Sequence, residues 1–108
     1  MLQELEHITL ETRYKDAGAM VGLQGVLSLS TSLGVKEKLT AMLNEGIRSL
    51  TVDLLHIKHI DSVGLATLII VSRLCSDQGV RFEIARPAEP VERLLRSTGL
   101  RKHLLFAG

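Results

Sequence analysis

Residues 49 to 79 limit most sharply what this chain can fold into. The stretch "SLTVDLLHI" alternates Leu50, Val52 and Leu54 against Thr51 and Asp53, then turns continuously apolar at Leu54 and Leu55, as an interior β-strand does. "VGLATLIIVSRLCSDQG" follows; it is too long for one strand, is polar only near its end and is closed by Gly79, so it reads as a mostly buried helix. Only Asp61 and Ser62 lie between the two. A buried strand that passes so directly into a buried helix calls for an α/β architecture with parallel crossovers.

The remaining segments supply partners for that strand. "HITLETRY" places Ile8, Leu10 and Thr12 on one side and Thr9, Glu11 and Arg13 on the other, and "AMVGLQGVL" is a second strand beyond the turn "KDAG". These two are expected to form an antiparallel hairpin at one edge of the sheet, with Gly22 and Gly25 marking close packing or a bulge. A helix is expected from "SLSTSLGVKEKLTAMLNEG": Val35, Leu39, Met42 and Leu43 share one face, Ser30, Thr31 or Ser32 is available as its cap, and Gly46 stops it. "VRFEIARP" is a strand ended by Pro87. "EPVERLLRSTGL" is a helix with Pro90 near its first position and Gly99 after its last, and "KHLLFAG" is a short final strand. The resulting order, β-β-α-β-α-β-α-β, is a mixed sheet covered by helices. At 108 residues it forms a single domain over residues 1–108.

Composition excludes several functions. With 13 basic residues against 12 acidic, a formal charge of +1 and 3% aromatics, the chain lacks the basic surface and stacking platforms of a nucleic-acid binder. Its 45% hydrophobic content argues for an ordered globular fold. The start, "MLQELEHITLE", has no basic region leading into an apolar core and so does not read as a secretory signal. The longest apolar run, 63 to 71, falls well short of the ~20 residues of a membrane span. A lone Cys75 has no intrachain disulfide partner and reads as a small buried hydrophobe. These features together point to a cytoplasmic protein without direct membrane insertion.

Chemistry concentrates at "HIDSVGL", residues 59 to 65, on the corner between strand and helix. Asp and Ser are both preferred N-caps, and Gly64 permits tight packing, so helix capping by itself explains the corner. Leu65 stands three after Ser62, so no capping box forms and one oxygen of the pair is expected to be free. Enzymatic readings fail on composition. A nucleophile elbow needs glycine two before the serine, where Ile60 stands. His56 or His59 cannot fold back onto Ser62 from an extended segment to build a triad, and their spacing places them on opposite sides of a strand, with no further ligand to complete a metal site. His7 and His103 are expected at the surface. No enzyme activity, cofactor or metal is expected.

Taken together, "QGVL" before the first helix, "VDLLHIKHIDSVGLATLIIV" at the centre and "GLRKHLLF" at the close make the chain similar to the STAS family, the anti-sigma factor antagonists. The resemblance spans nearly the whole chain and implies a STAS-like mixed sheet with an N-terminal hairpin. It also implies that Ser62 is phosphorylated by a cognate anti-sigma factor serine kinase and reset by a serine phosphatase. Asp61, Ser62, Val63, Gly64, Ser28 and Asp53 would contact the partner. Ser28 stands where many members carry an acid, and Val63 where a second hydroxyl often follows the phosphoserine. The alternative implied is a non-switching STAS module of a transporter, stressosome or sensory complex. Assembly as a homodimer is compatible with either.

Overall fold

The computed structural model describes Met1–Gly108. Its elements are β1 (Leu2–Leu5), β2 (Ile8–Lys15), β3 (Gly18–Leu27), α1 (Leu29–Leu43), β4 (Ser49–Ile60), α2 (Ser62–Asp77), β5 (Arg81–Ala85), α3 (Glu89–Thr98) and a 3₁₀ turn, Leu100–His103. The strands lie in the sheet in chain order, β1-β2-β3-β4-β5. The β1/β2 and β2/β3 pairs are antiparallel, whereas β3/β4 and β4/β5 are parallel.

That order decides where the helices go. The two parallel crossovers, β3-α1-β4 and β4-α2-β5, advance across the sheet in the same direction. Right-handed crossovers that advance the same way place their helices on the same face. The burial pattern agrees: Ala19, Val21 and Leu23 of β3 and Leu50, Val52 and Leu54 of β4 are buried with Val35 and Leu39 of α1 and Leu65, Leu68 and Val71 of α2. Val91 and Leu95 of α3 join the same 25-residue cluster. The alternate strand residues face away from the helices, among them Glu11, Arg13, Met20, Gly22, Thr51 and Asp53, and no element covers them. Helices therefore cover one face of this sheet and leave the other open.

The mixed α/β sheet, its N-terminal hairpin and its parallel crossovers follow the sequence expectation, but both ends differ from it. An additional strand, β1, pairs with β2 through Leu2↔Glu11 to Leu5↔Ile8, so β1 and not the hairpin forms the edge. With four residues and an acidic neighbourhood, its alternation is too short to register as a pattern. At the other end, "KHLLFAG" forms the end of the 3₁₀ turn and a single parallel bridge, Ile84↔Phe106, instead of a strand. Two backbone bonds hold that bridge, from the N–H of Ile84 to Leu105 and from that of Ala107 to Ile84, and Arg101 lies 4.7 Å over the Phe106 ring.

The glycines of β3 mark an irregularity as expected: the β3/β4 register shifts between Gly22 and Gln24 and again at Gly25. Gly25 has φ +117, and a Cβ there would sit 2.4 Å from the His7 carbonyl oxygen. The turn after β2 places Asp16 at φ 56, a conformation its short polar side chain tolerates.

Candidate functional site

β4 ends at Ile60 and α2 begins at Ser62, leaving Asp61 as the N-cap of α2. Capping there is tighter than the sequence implied, because both carboxylate oxygens are engaged. Oδ1 accepts from the Gly64 N–H at 2.8 Å and Oδ2 accepts from the Leu29 N–H at 3.0 Å. Leu29 is the first residue of α1, so one carboxylate joins the N-termini of two helices, each of which presents unpaired N–H groups and a partial positive charge. Burial opposes ionisation of Asp61, but the N–H groups of Gly64, Leu29 and Val63 and the nearby His59 outweigh it and hold the carboxyl below the usual range.

With Asp61 committed, Ser62 is left over. It is the first residue of α2, is exposed, and its hydroxyl has no hydrogen-bond partner within the chain. Gly64 makes this geometry possible. A Cβ at 64 would fall 2.2 Å from the Leu27 carbonyl oxygen, so α2 can start this close to the end of β3 only with glycine there. The Asp61 N–H donates to that same Leu27 oxygen at 3.2 Å.

Ser28 sits directly beside this corner as the N-cap of α1, the role the sequence had offered to Ser30, Thr31 or Ser32. Those three serve Ser28 instead. Thr31 Oγ1 accepts the Ser28 N–H at 2.9 Å, Ser32 Oγ donates to the Ser28 carbonyl at 2.6 Å, and Ser30 Oγ lies 3.0 Å from Ser28 Oγ. Cap position is set by which residue is still extended, and Ser28, at φ −144 and ψ −176, is the last one.

Exposed apolar side chains stand on both helices that meet at this corner. Leu29 is 74% exposed and Leu33 66% on α1, and Val63 is 39% and Ile70 44% exposed on α2, which packs against α1. α2 is thus buried on one face only, through Gly64, Leu65, Thr67, Leu68, Val71 and Cys75, where the sequence suggested a mostly buried helix. A signal for this was present: Leu29 and Leu33, like Val63 and Ile70, are spaced on one helical face that is out of phase with the core residues of their helices.

Asp53 is not brought into this corner. It is nearly buried on the helix-free face of the sheet, eight strand residues from Asp61, which is roughly 26 Å of extended chain. Its Oδ1 accepts the Leu55 N–H at 3.0 Å, and its Oδ2 is held by the Arg86 guanidinium, with Nε at 3.2 Å. Burial opposes ionisation of Asp53 as well, and these partners, Arg86 foremost, prevail and lower its pKa. Arg86 reaches it from a backbone at φ 47, just past β5, a contact between residues 33 apart that the sequence did not signal. His56 and His59 are both exposed, the first acting on Asp53 and the second on Asp61, and no cluster of three potential ligands forms. No helix is long and apolar enough to cross a membrane.

This is a one-sided helix layer on a mixed sheet, with an unpartnered serine at the start of the helix that follows the central strand. The chain belongs to the STAS family: the family model described as "Mlab, STAS domain" matches residues 10–106. Among solved structures, an anti-sigma factor antagonist from Mycobacterium paratuberculosis is similar with a TM-score of 0.81 and 21% identity, over 92% of this chain and 84% of that one. The anti-sigma factor antagonist SpoIIAA in its unphosphorylated form is similar with a TM-score of 0.75 and 14% identity, over 92% of this chain and 88% of that one. The murine anion transporter Slc26a9 contains a similar portion, with a TM-score of 0.71 and 16% identity, over 83% of this chain and 15% of the transporter.

Proposed function

We propose that this chain is a cytoplasmic, non-enzymatic anti-sigma factor antagonist whose binding to a kinase-type anti-sigma factor is switched by phosphorylation of Ser62. The observation that carries this reading is the exposed, unpartnered Ser62 hydroxyl at the first position of α2, at a corner where α1 and α2 also expose Leu29 and Val63. Supporting it is a structural likeness to a Bacillus cell fate determinant, SpoIIAA, whose phosphorylated form has been solved.

The switch follows from where charge can be tolerated. In the transfer, Ser62 Oγ attacks the γ-phosphorus of ATP bound to the kinase, the bond to ADP breaks, and the serine proton passes to a base on the kinase. The product adds about −1.5 to −2 charges at a helix N-terminus, where the free N–H groups and the dipole accept it, so the fold persists. A partner pressed against this corner, where Leu29 and Val63 are exposed, meets a dianion in place of a neutral hydroxyl. Against a partner carboxylate ~5 Å away at an effective dielectric of ~20, the repulsion is about 3 kcal/mol per unit charge, roughly a hundredfold in affinity. A serine phosphatase would restore binding by hydrolysis. Ser28, Val63, Gly64 and Asp61 lie in or under this surface, whereas Asp53 would act from the opposite face.

The test is intact mass before and after incubation with ATP and the kinase-type anti-sigma factor, followed by binding of each form. One phosphoryl group on Ser62 with at least a hundredfold loss of affinity is expected. Equal affinity of the two forms overturns the switch. The second reading, a STAS subunit of a transporter complex, is favoured by the Slc26a9 likeness. Copurification with transporter subunits, unaffected by Ser62→Asp, would establish it instead.

A further inference from the structure

The helix-free face of the sheet has a pattern of its own. Strand register aligns its side chains in rows. Glu11 of β2, Gly22 of β3 and Asp53 of β4 form one row; Arg13, Met20 and Thr51 form the next, about 6.8 Å along the strands. Further toward the β2/β3 turn lie Lys15, Gly18 and Ser49. Met20 projects from this face, 45% exposed, and beside it on the same strand Gly22 leaves a hollow. A Cβ at 22 would meet nothing closer than the Glu11 carbonyl oxygen at 4.0 Å. A groove of about 210 Å³ lies over these rows, lined by Glu11, Arg13, Met20, Gly22, Asp53 and Arg86 among others.

We infer that this face docks a second copy of the same chain, bare sheet against bare sheet, about a two-fold axis that crosses the strands between Met20 and Gly22. Such an axis lays β3 antiparallel over β3 of the other copy. Each Met20 then enters the hollow above the other copy's Gly22, and Glu11 of one copy faces Arg13 of the other. Within each chain Arg13 donates to Glu11 at 3.0 Å, so the two pairs stack head to tail into a four-membered ring of alternating charge. The surface is self-complementary in shape and in charge, as an isologous interface must be. Sheets that pack face to face cross at about 30°, which keeps the central β3 rows in register and lets the outer strands diverge.

The occupant is a second copy because nothing on this face selects another. It presents no large apolar area, and at its centre Glu11 and Arg13 set opposite charges side by side. Those properties suit a surface that is its own mirror in charge. Four strands by four residues give about 260 Å² per copy, roughly 520 Å² in all, well below the standard size of specific interfaces. The dimer is therefore weak and depends on concentration. The Ser62 corner belongs to the helix layer on the other side of the sheet, so both copies keep it free, and this inference stands whether or not the partner switch does.

Sedimentation velocity of the full chain from about 10 µM to 1 mM, the affinity range expected of so small an interface, tests it. The mass should rise from 11.9 kDa toward twice that value. Arg13→Glu should weaken dimerisation at least tenfold by opposing four carboxylates, and the exchange Glu11→Arg with Arg13→Glu should restore it, while circular dichroism melts check that all variants fold. Ser62→Asp should leave the dimer unchanged. A wild-type protein that stays monomeric at 1 mM overturns the inference. So does a dimer that Arg13→Glu leaves intact, or a loss that the double exchange does not repair.

Discussion

A Cβ on residue 64 would meet backbone and not a movable side chain, so α2 would have to shift away from β3 to admit it. Gly64→Ala is expected to cost about 2–4 kcal/mol, read as a lower urea midpoint at unchanged slope. Asp61 sets a second single-residue constraint. An amide in its place keeps one acceptor for Gly64 but turns a donor toward the Leu29 N–H, so Asp61→Asn should lose about 1–2 kcal/mol, the worth of one helix cap. The pH dependence carries the same signature. The native pKa values of Asp61 and Asp53 lie below the unfolded carboxylate value of about 3.9, so both stabilise the fold above that pH. Their contribution vanishes as pH falls through the lower native values. Melting temperature should therefore drop below about pH 4, and Asp61→Asn should flatten part of that drop.

Each helix carries two apolar faces with different purposes. Leu68 of α2 and Leu39 of α1 are fully buried, and truncation of either to Ala should cost about 2–5 kcal/mol. Leu33 and Ile70, on the outer faces of the same helices, are about half exposed or more, so Leu33→Lys or Ile70→Lys should change stability by no more than about 0.5 kcal/mol. Chemical denaturation of the four variants separates the two faces, and the outer pair should instead lose binding to the kinase-type partner. β4 likewise splits by length. Its first half pairs on both sides, with β3 and β5, whereas beyond Asp53 it outruns β5, and α3 docks there with the Ala88 N–H donating to the Leu54 carbonyl.

At the scale of the molecule, one apolar cluster ties sheet and helices together, and Cys75 lies at zero exposure within it. Burial pushes its thiol up to about 11. In native buffer at pH 8 it should resist a thiol reagent such as Ellman's and react only when the fold opens, so its labelling rate reports global unfolding. A fast native reaction would mean that α2 detaches on its own.

Much of this was legible in the residues. Strand and helix periods gave β2 to β5 and all three helices, since side-chain alternation and helical spacing are local properties of the chain. The suspicion attached to "HIDSVGL" was local too, because Asp and Ser beside a short-side-chain glycine are readable as a corner. What the residues could not supply was every relation across distance. That the second Asp61 oxygen is taken by Leu29, 32 residues away, follows from how α1 and α2 meet, and it leaves Ser62 as the unpartnered polar group of the pair. Which face of the sheet stays bare depends on the order of strands, which hydrophobic pattern does not encode. The sequence thus determined the elements and the corner, through interactions a few residues long. Tertiary structure decided which serine is free, which apolar residues stay exposed on the helices beside it and which face remains open, because those depend on packing between segments far apart in the chain.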